Sequence, residues 1–151
     1  MLKLSIRDQK ALVSESELSA AILKGIPVLE KAQLGEAQYS DSQGWLHVDE
    51  WANEQILTHI EQLAAEIRKN SDAFVLIGVG GSNNAARSVI EALNNGNGPE
   101  IIYAGNTLSA NAMNRLLKQL ENKRFSMNCI AKNFETLEPG ISFRVLRQEL
   151  A

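Results

Sequence analysis

The sequence predicts an α/β fold: a three-layer sandwich on an incomplete, mostly parallel sheet, preceded by helices. Three observations carry this. Ala73–Ile77, Glu100–Ala104 and Phe125–Ala131 are short, mainly apolar runs of strand length. Segments long enough for helices separate them, which is the pattern of βαβ units and a parallel sheet. The first run leads straight into a glycine turn, Gly78-Val79-Gly80-Gly81-Ser82, at the kind of strand exit where open sheets bind ligands. Right-handed crossovers then place helices on both faces.

The elements follow in order. Up to about Asp41 the chain reads as helical, with Leu18, Ile22, Ile26 and Leu29 at helical spacing. Gly25 and Pro27 interrupt that pattern. Because an interior proline loses a hydrogen bond and clashes with the preceding turn, a bend or two short helices are expected. Gly35 to Gly44 reads as loop. A stronger helix runs from about Glu50 to Lys69, with Ile56, Leu57, Ile60, Leu63, Ala64 and Ile67 on its apolar face. Asp49 is the expected cap, and Asn70-Ser71-Asp72 punctuates the end. Further helices are expected over Ala85–Leu93, from Ser109 to Leu120, and over Leu137–Leu150. Met113, Leu116, Leu117 and Leu120 face the sheet in this reading, as do Ile141, Val145 and Leu146. Each buried Leu or Ile contributes roughly 1.5–3 kcal/mol. Residues 1–48 form a helical leader and loop, and 49–151 the α/β part. Three strands leave a sheet edge uncovered, which points to a second copy of the chain or a further carboxy-terminal region.

Composition narrows the function. With 151 residues, 44% hydrophobic and 22% charged, the chain has globular composition. A formal charge of -3 and the lack of a basic stripe argue against a nucleic-acid partner, since phosphate-backbone binding needs a basic face. Lys123 and Arg124 are adjacent, but a surface turn explains them equally well. No apolar run is long enough to cross a bilayer, and Met1 to Lys10 lacks the apolar stretch of a secretory signal, so a cytoplasmic protein without a membrane partner is expected. Cys129 stands alone and reads as a buried thiol. His47 and His59 have no second ligand or catalytic partner at a useful spacing. No metal or cofactor is expected.

Two loops carry the chemistry. In the glycine turn, residues without Cβ let a ligand approach the backbone, Ser82 can cap the next helix or donate its hydroxyl, and the first helical amides can face an anion. The turn is neither a dinucleotide fingerprint, because Asn83 stands where a third glycine belongs, nor a P-loop. Anion binding, a purely structural turn and a nucleotide site all remain readings of it. At the third strand exit, Ala131-Lys132-Asn133-Phe134-Glu135-Thr136 offers Lys132 as a cation and Asn133 and Thr136 as donors. A capped helix with a solvated Lys/Glu loop explains the same residues. Glu135 repels phosphate unless it turns outward or pairs with Lys132.

Taken together, Phe74–Ser82, Ala86-Arg87, Tyr103-Ala104-Gly105-Asn106, Phe125–Lys132 and Thr136–Leu146 resemble the amino-terminal part of the glucose-6-phosphate isomerase family. Gly44-Trp45 is similar to a feature ahead of its first sugar-isomerase (SIS) domain. The resemblance implies an SIS-like fold, with 49–151 as a partial first sugar-isomerase domain. It also implies a site that holds the phosphate of glucose 6-phosphate or fructose 6-phosphate, and a reaction through a cis-enediol that uses no metal or organic cofactor. Gly80, Gly81 and Ser82, with Lys132, Asn133 and Thr136, are the candidate substrate-binding residues. The family commonly has Leu-Gly where this chain has Asn84-Ala85, serine at Ala131 and threonine at Glu135. Losing one hydrogen bond to a charged group costs about 1.5–3 kcal/mol. The family's catalytic glutamate and ring-opening histidine lie beyond the matching segment, so no residue here is assigned a catalytic role. The chain is expected to be a truncated form that is inactive alone. The alternative is a noncatalytic assembly domain with a degenerated ligand site.

Overall fold

The computed structural model describes residues 13–36, 43–133 and 135–150. The elements are α1 (Glu15–Gln33), a 3-10 turn (Gly44–Leu46), α2 (Val48–Trp51), α3 (Glu54–Asn70), β1 (Ala73–Ile77), α4 (Gly81–Leu93), β2 (Glu100–Ala104), α5 (Ala110–Leu120), β3 (Phe125–Cys129) and α6 (Leu137–Glu149). They form two compact units, Met1–Ile56 and Leu57–Ala151.

In the first unit, α1 starts on a capping box. Ser14 accepts from the Glu17 amide, and Glu17 reaches back to the Ser14 amide, so two otherwise orphaned donors are satisfied. The helix is not split in two, although Pro27 lies inside it. Pro27 removes one donor, while the ladder closes at both ends, with Leu18 donating to Ser14 and Leu34 to Glu30, each at 3.0 Å. No residue of α1 is buried, and Ile22, Ile26 and Leu29 are exposed. The Gln43 carboxamide donates to the Ala32 carbonyl and holds the end of the following loop. Most of that loop, and the segment Met1 to Lys10, lie outside the described residues. The expected cap at Asp49 is corrected: Asp49 falls within α2, and the Asn53 carboxamide oxygen accepts from the Ile56 amide at 3.1 Å as α3 begins.

The second unit is built on a parallel sheet of order β2-β1-β3. β1 is the centre, in register with both neighbours from Ala73↔Glu100 and Ala73↔Phe125 to Ile77↔Ala104 and Ile77↔Cys129. Strand alternation assigns the faces. Ala73, Val75 and Ile77 share one face with Ile102 and Ala104, and pack with Leu116, Leu117 and Leu120 of α5 and Phe143 and Leu146 of α6. The opposite face carries Phe74 and Ile101, which line a shallow cavity with Ala64 and Ile67 of α3 and Val89 and Ile90 of α4. Helices thus cover both faces, and the three-layer arrangement is present.

Two sequence expectations for helix faces need correction. On α3, only Ala64 and Ile67 are partly buried, while Ile56, Leu57, Ile60 and Leu63 are exposed. The sheet face on that side is apolar only along β1 and β2, because β3 presents Ser126 and Asn128 there. On α6, Ile141 is exposed, and the buried residues are Pro139, Gly140, Ser142 and Leu146. Small residues let the helix approach the sheet closely, and Pro139 costs little in the first turn, where its missing amide would have had no helical partner.

Polar contacts tie the entry ends of the strands. Asp72 accepts from the Arg124 guanidinium at 2.9 and 3.2 Å and from the Arg124 amide at 3.0 Å. Glu100 receives Lys123 and Gln119, and Ser71 pairs with Ser126 at 2.6 Å. The adjacent Lys123 and Arg124 therefore hold the strand ends rather than form a free basic patch.

Gly105 locks the exit ends. Its φ is +84°, and a Cβ there would lie 2.9 Å from the Gly78 amide nitrogen and the Ile77 side chain, and 3.1 Å from the Pro139 Cα. Only glycine lets the β2 exit, the β1 exit and the first turn of α6 meet this closely. The Gly78 amide donates to the Ala104 carbonyl at 3.0 Å, and the Ile130 amide to the Ile77 carbonyl at 2.9 Å.

The Asp72 carboxyl is held below the usual carboxylate range, first by hydrogen bonds from the Arg124 side chain and amide. A depressed folded-state value contributes stability that is present above the unfolded value and lost as pH falls through the folded one. Thermal unfolding of Asp72→Asn across a pH series should lie below the parent at neutral pH and converge with it in acid. Gly105→Ala should destabilise the fold by at least about 2 kcal/mol in denaturant unfolding, through left-handed strain and backbone overlap.

Candidate functional site

Both candidate loops leave the same end of the sheet, since Ile77 and Cys129 are paired neighbours at the ends of β1 and β3. The first loop bends sharply. Gly78 is buried, and a Cβ on it would meet the Ser82 carbonyl oxygen at 3.1 Å. Gly80 has φ 58° and ψ -130°, a conformation that disfavours a side chain, and it takes the N-cap position of α4. α4 therefore begins at Gly81, earlier than the expected Ala85, and the glycine turn runs directly into its first turn.

A Cβ on either Gly80 or Gly81 would meet nothing within 4 Å. The backbone is open to an incoming group at these two candidate residues. Gly80 supplies no capping side chain, so the positive dipole end of the helix and the Gly81 and Ser82 amides, which have no partner among the described residues, lie near this opening. Ser82, in the first turn of α4, is half-buried.

From sequence, Asn83 is a mismatch to a nucleotide fingerprint and, with Asn84, a first-turn amide expected to face the anion; the second expectation is corrected, because both amides are engaged within the turn. Asn83 is 3% exposed, and its side-chain nitrogen donates to the Gly78 carbonyl at 3.3 Å. Its amide and that of Asn84 donate to the Gly80 carbonyl at 3.2 and 2.9 Å. One available signal was an asparagine in the first turn of a helix whose cap is glycine, where a side-chain tether has to come from elsewhere.

In the second loop, Lys132, Asn133 and Thr136 are all exposed. Lys132 makes no ion pair with another described residue. Thr136 is the N-cap of α6, yet its hydroxyl makes no capping bond, so it is not committed to the helix. Asn133 is committed: its side-chain nitrogen donates to the Glu135 carboxylate at 2.5 Å, and its oxygen accepts from the Glu135 amide at 3.3 Å. Of the two expectations for Glu135, pairing with Lys132 is not what is found; its partner is Asn133. Phe134 lies outside the described residues.

The remaining sequence candidates stay outside this cluster. Cys129 is partly rather than fully buried, and that burial raises its thiol above the ordinary range, which suits a packing role better than a nucleophile. The His47 ring lies 3.8 Å from Glu50 on the surface. A wide groove of about 860 Å³ runs along α5, lined by Arg115, Lys118, Glu121 and Glu149 among others. Its lining carries charges of both signs. Among the described residues, no helix is long and apolar enough to cross a membrane.

No protein-family model matches the chain. The glucose-6-phosphate isomerase of Leptospira interrogans is 33% identical over 160 residues, covering 97% of this chain and 34% of that protein. The glucose-6-phosphate isomerase of Staphylococcus haemolyticus is 37% identical over 119 residues, covering 76% of this chain and 27% of that protein. For that of Parabacteroides distasonis the identity is 31% over 160 residues, with 99% of this chain and 36% of that protein covered. With the glycine turn and the parallel sheet in place, these likenesses show that the chain belongs to the glucose-6-phosphate isomerase family, of whose curated members it spans roughly a third of the length.

Proposed function

We propose that this chain supplies the phosphate-holding part of a site for glucose 6-phosphate and fructose 6-phosphate, in a protein that interconverts them. The observation that carries the reading is the open backbone at Gly80 and Gly81, at the start of a helix with no capping side chain. A phosphate dianion seated there gains charge-assisted hydrogen bonds from first-turn amides and the Ser82 hydroxyl. Lys132 adds a cation and Thr136 a hydroxyl from the adjoining exit. Asn133 joins them only by giving up Glu135. Residues 49–151 act as a sugar-isomerase domain in this reading, and phosphorylated sugars, being charged and membrane-impermeant, place the work in the cytoplasm.

The proton transfer itself needs a base held in geometry against the substrate carbon. Glu135 is engaged with Asn133, and Glu138 sits in the first turn of α6. Neither is assigned as that base, and the chain by itself is taken to bind without turning over. A second reading, a noncatalytic assembly domain, draws on the Asn133–Glu135 contact, which keeps a carboxylate in the loop where phosphate would sit.

Calorimetry with fructose 6-phosphate, inorganic phosphate and fructose separates the two. The sugar phosphate should bind, phosphate more weakly, and fructose not at all. Ser82→Ala should weaken the sugar phosphate by about 10-fold or more, the worth of one hydrogen bond to a charged group. Folded protein that binds no phosphosugar would refute the reading and favour the assembly domain.

A further inference from the structure

We infer that Asn83 is a positioning residue that makes the glycine turn selective for anions, by keeping its carbonyls turned away from the opening. The inference rests on the phosphate-binding reading of that turn. A turn of glycines exposes both amides and carbonyls, and a carbonyl facing the opening repels phosphate as strongly as an amide attracts it. Here the Gly78 and Gly80 carbonyls are engaged from the helix side, the first by the Asn83 side chain and the second by the Asn83 and Asn84 amides. With the Gly78 amide donating to Ala104, Gly78 is held at both its amide and its carbonyl.

The Asn83 side chain is also well placed to keep this arrangement before any ligand arrives. It is almost wholly buried, so its bond to Gly78 is shielded from water. Gly80, with positive φ and no side chain, cannot fix the turn from the cap position. The tether therefore comes from the third residue of the helix and reaches backward. Asn83 touches no substrate in this account; it sets the backbone that does.

The test is nuclear magnetic resonance of the full chain titrated with inorganic phosphate. In the parent, the Gly81 and Ser82 amide signals should move downfield, and the Asn83 side-chain amide should be protected from exchange both with and without phosphate. Asn83→Leu keeps the branched shape of the side chain and removes the donor. It should keep the dispersed β1 and β3 signals, lose the Gly81 and Ser82 response and bind phosphate at least about 10-fold more weakly. A folded Asn83→Leu with parental affinity would overturn the inference. Should that variant not fold, the parent's side-chain exchange decides: protection supports the tether, and rapid exchange in the free protein overturns it. A parent whose Gly81 and Ser82 signals ignore phosphate instead overturns the binding reading beneath.

Discussion

The contact on which the rest depends is the approach of Gly105 to Gly78 and Pro139 at the exit end of the sheet. β1 is bonded on both sides, so its exit is fixed by the register. That alone would not bring the loops together. The absent Cβ at Gly105 lets the β2 exit close against the β1 exit and the first turn of α6. The small buried surface of α6, with Gly140 and Ser142 beside Pro139, serves the same closeness from the other side. At the entry end, Arg124 and Lys123 hold Asp72 and Glu100, so strand alignment is fixed at both ends.

Energy is divided unevenly between the two faces. The face under α5 and α6 is closed, with Val75, Ile77 and Leu146 fully buried, and it contributes most of the apolar burial. The face under α3 and α4 is shallower. There the Arg87 guanidinium lies 4.8 Å from the centre of the Tyr103 ring and pairs with Glu91. A rigid closed layer on one side of β1 is what a binding turn needs, because the turn's geometry is only as fixed as the strand that delivers it.

Two strands were legible because residues that stop them bound them, while β3, expected to reach Ala131, ends at Cys129 with no such residue after it. Asp72 and Gly78 frame β1, Pro99 and Gly105 frame β2, and composition between them is strongly apolar. Helix starts were less legible where two capping residues lie close together, as Asp49 and Asn53 do. Apolar periodicity misled on α6, where Ile141 looks like core and small residues do the packing. The candidate loops were found through glycine, serine and lysine, residues whose chemistry is plain in sequence. Asn83 was not, since its role depends on a carbonyl five residues earlier being folded back onto it, and Gly105 was not, since its neighbours come from β1, the turn after it and α6.

In the proposed site, the exits of β1 and β3 form one anion cradle built from first-turn amides. A crystal structure of the chain with fructose 6-phosphate tests it most directly. The account predicts the phosphate on the Gly81 and Ser82 amides with Lys132 turned toward it, and the sugar ring outward. A phosphate seated instead in the α5 groove beside Arg115 and Lys118, with the glycine turn empty, would contradict it.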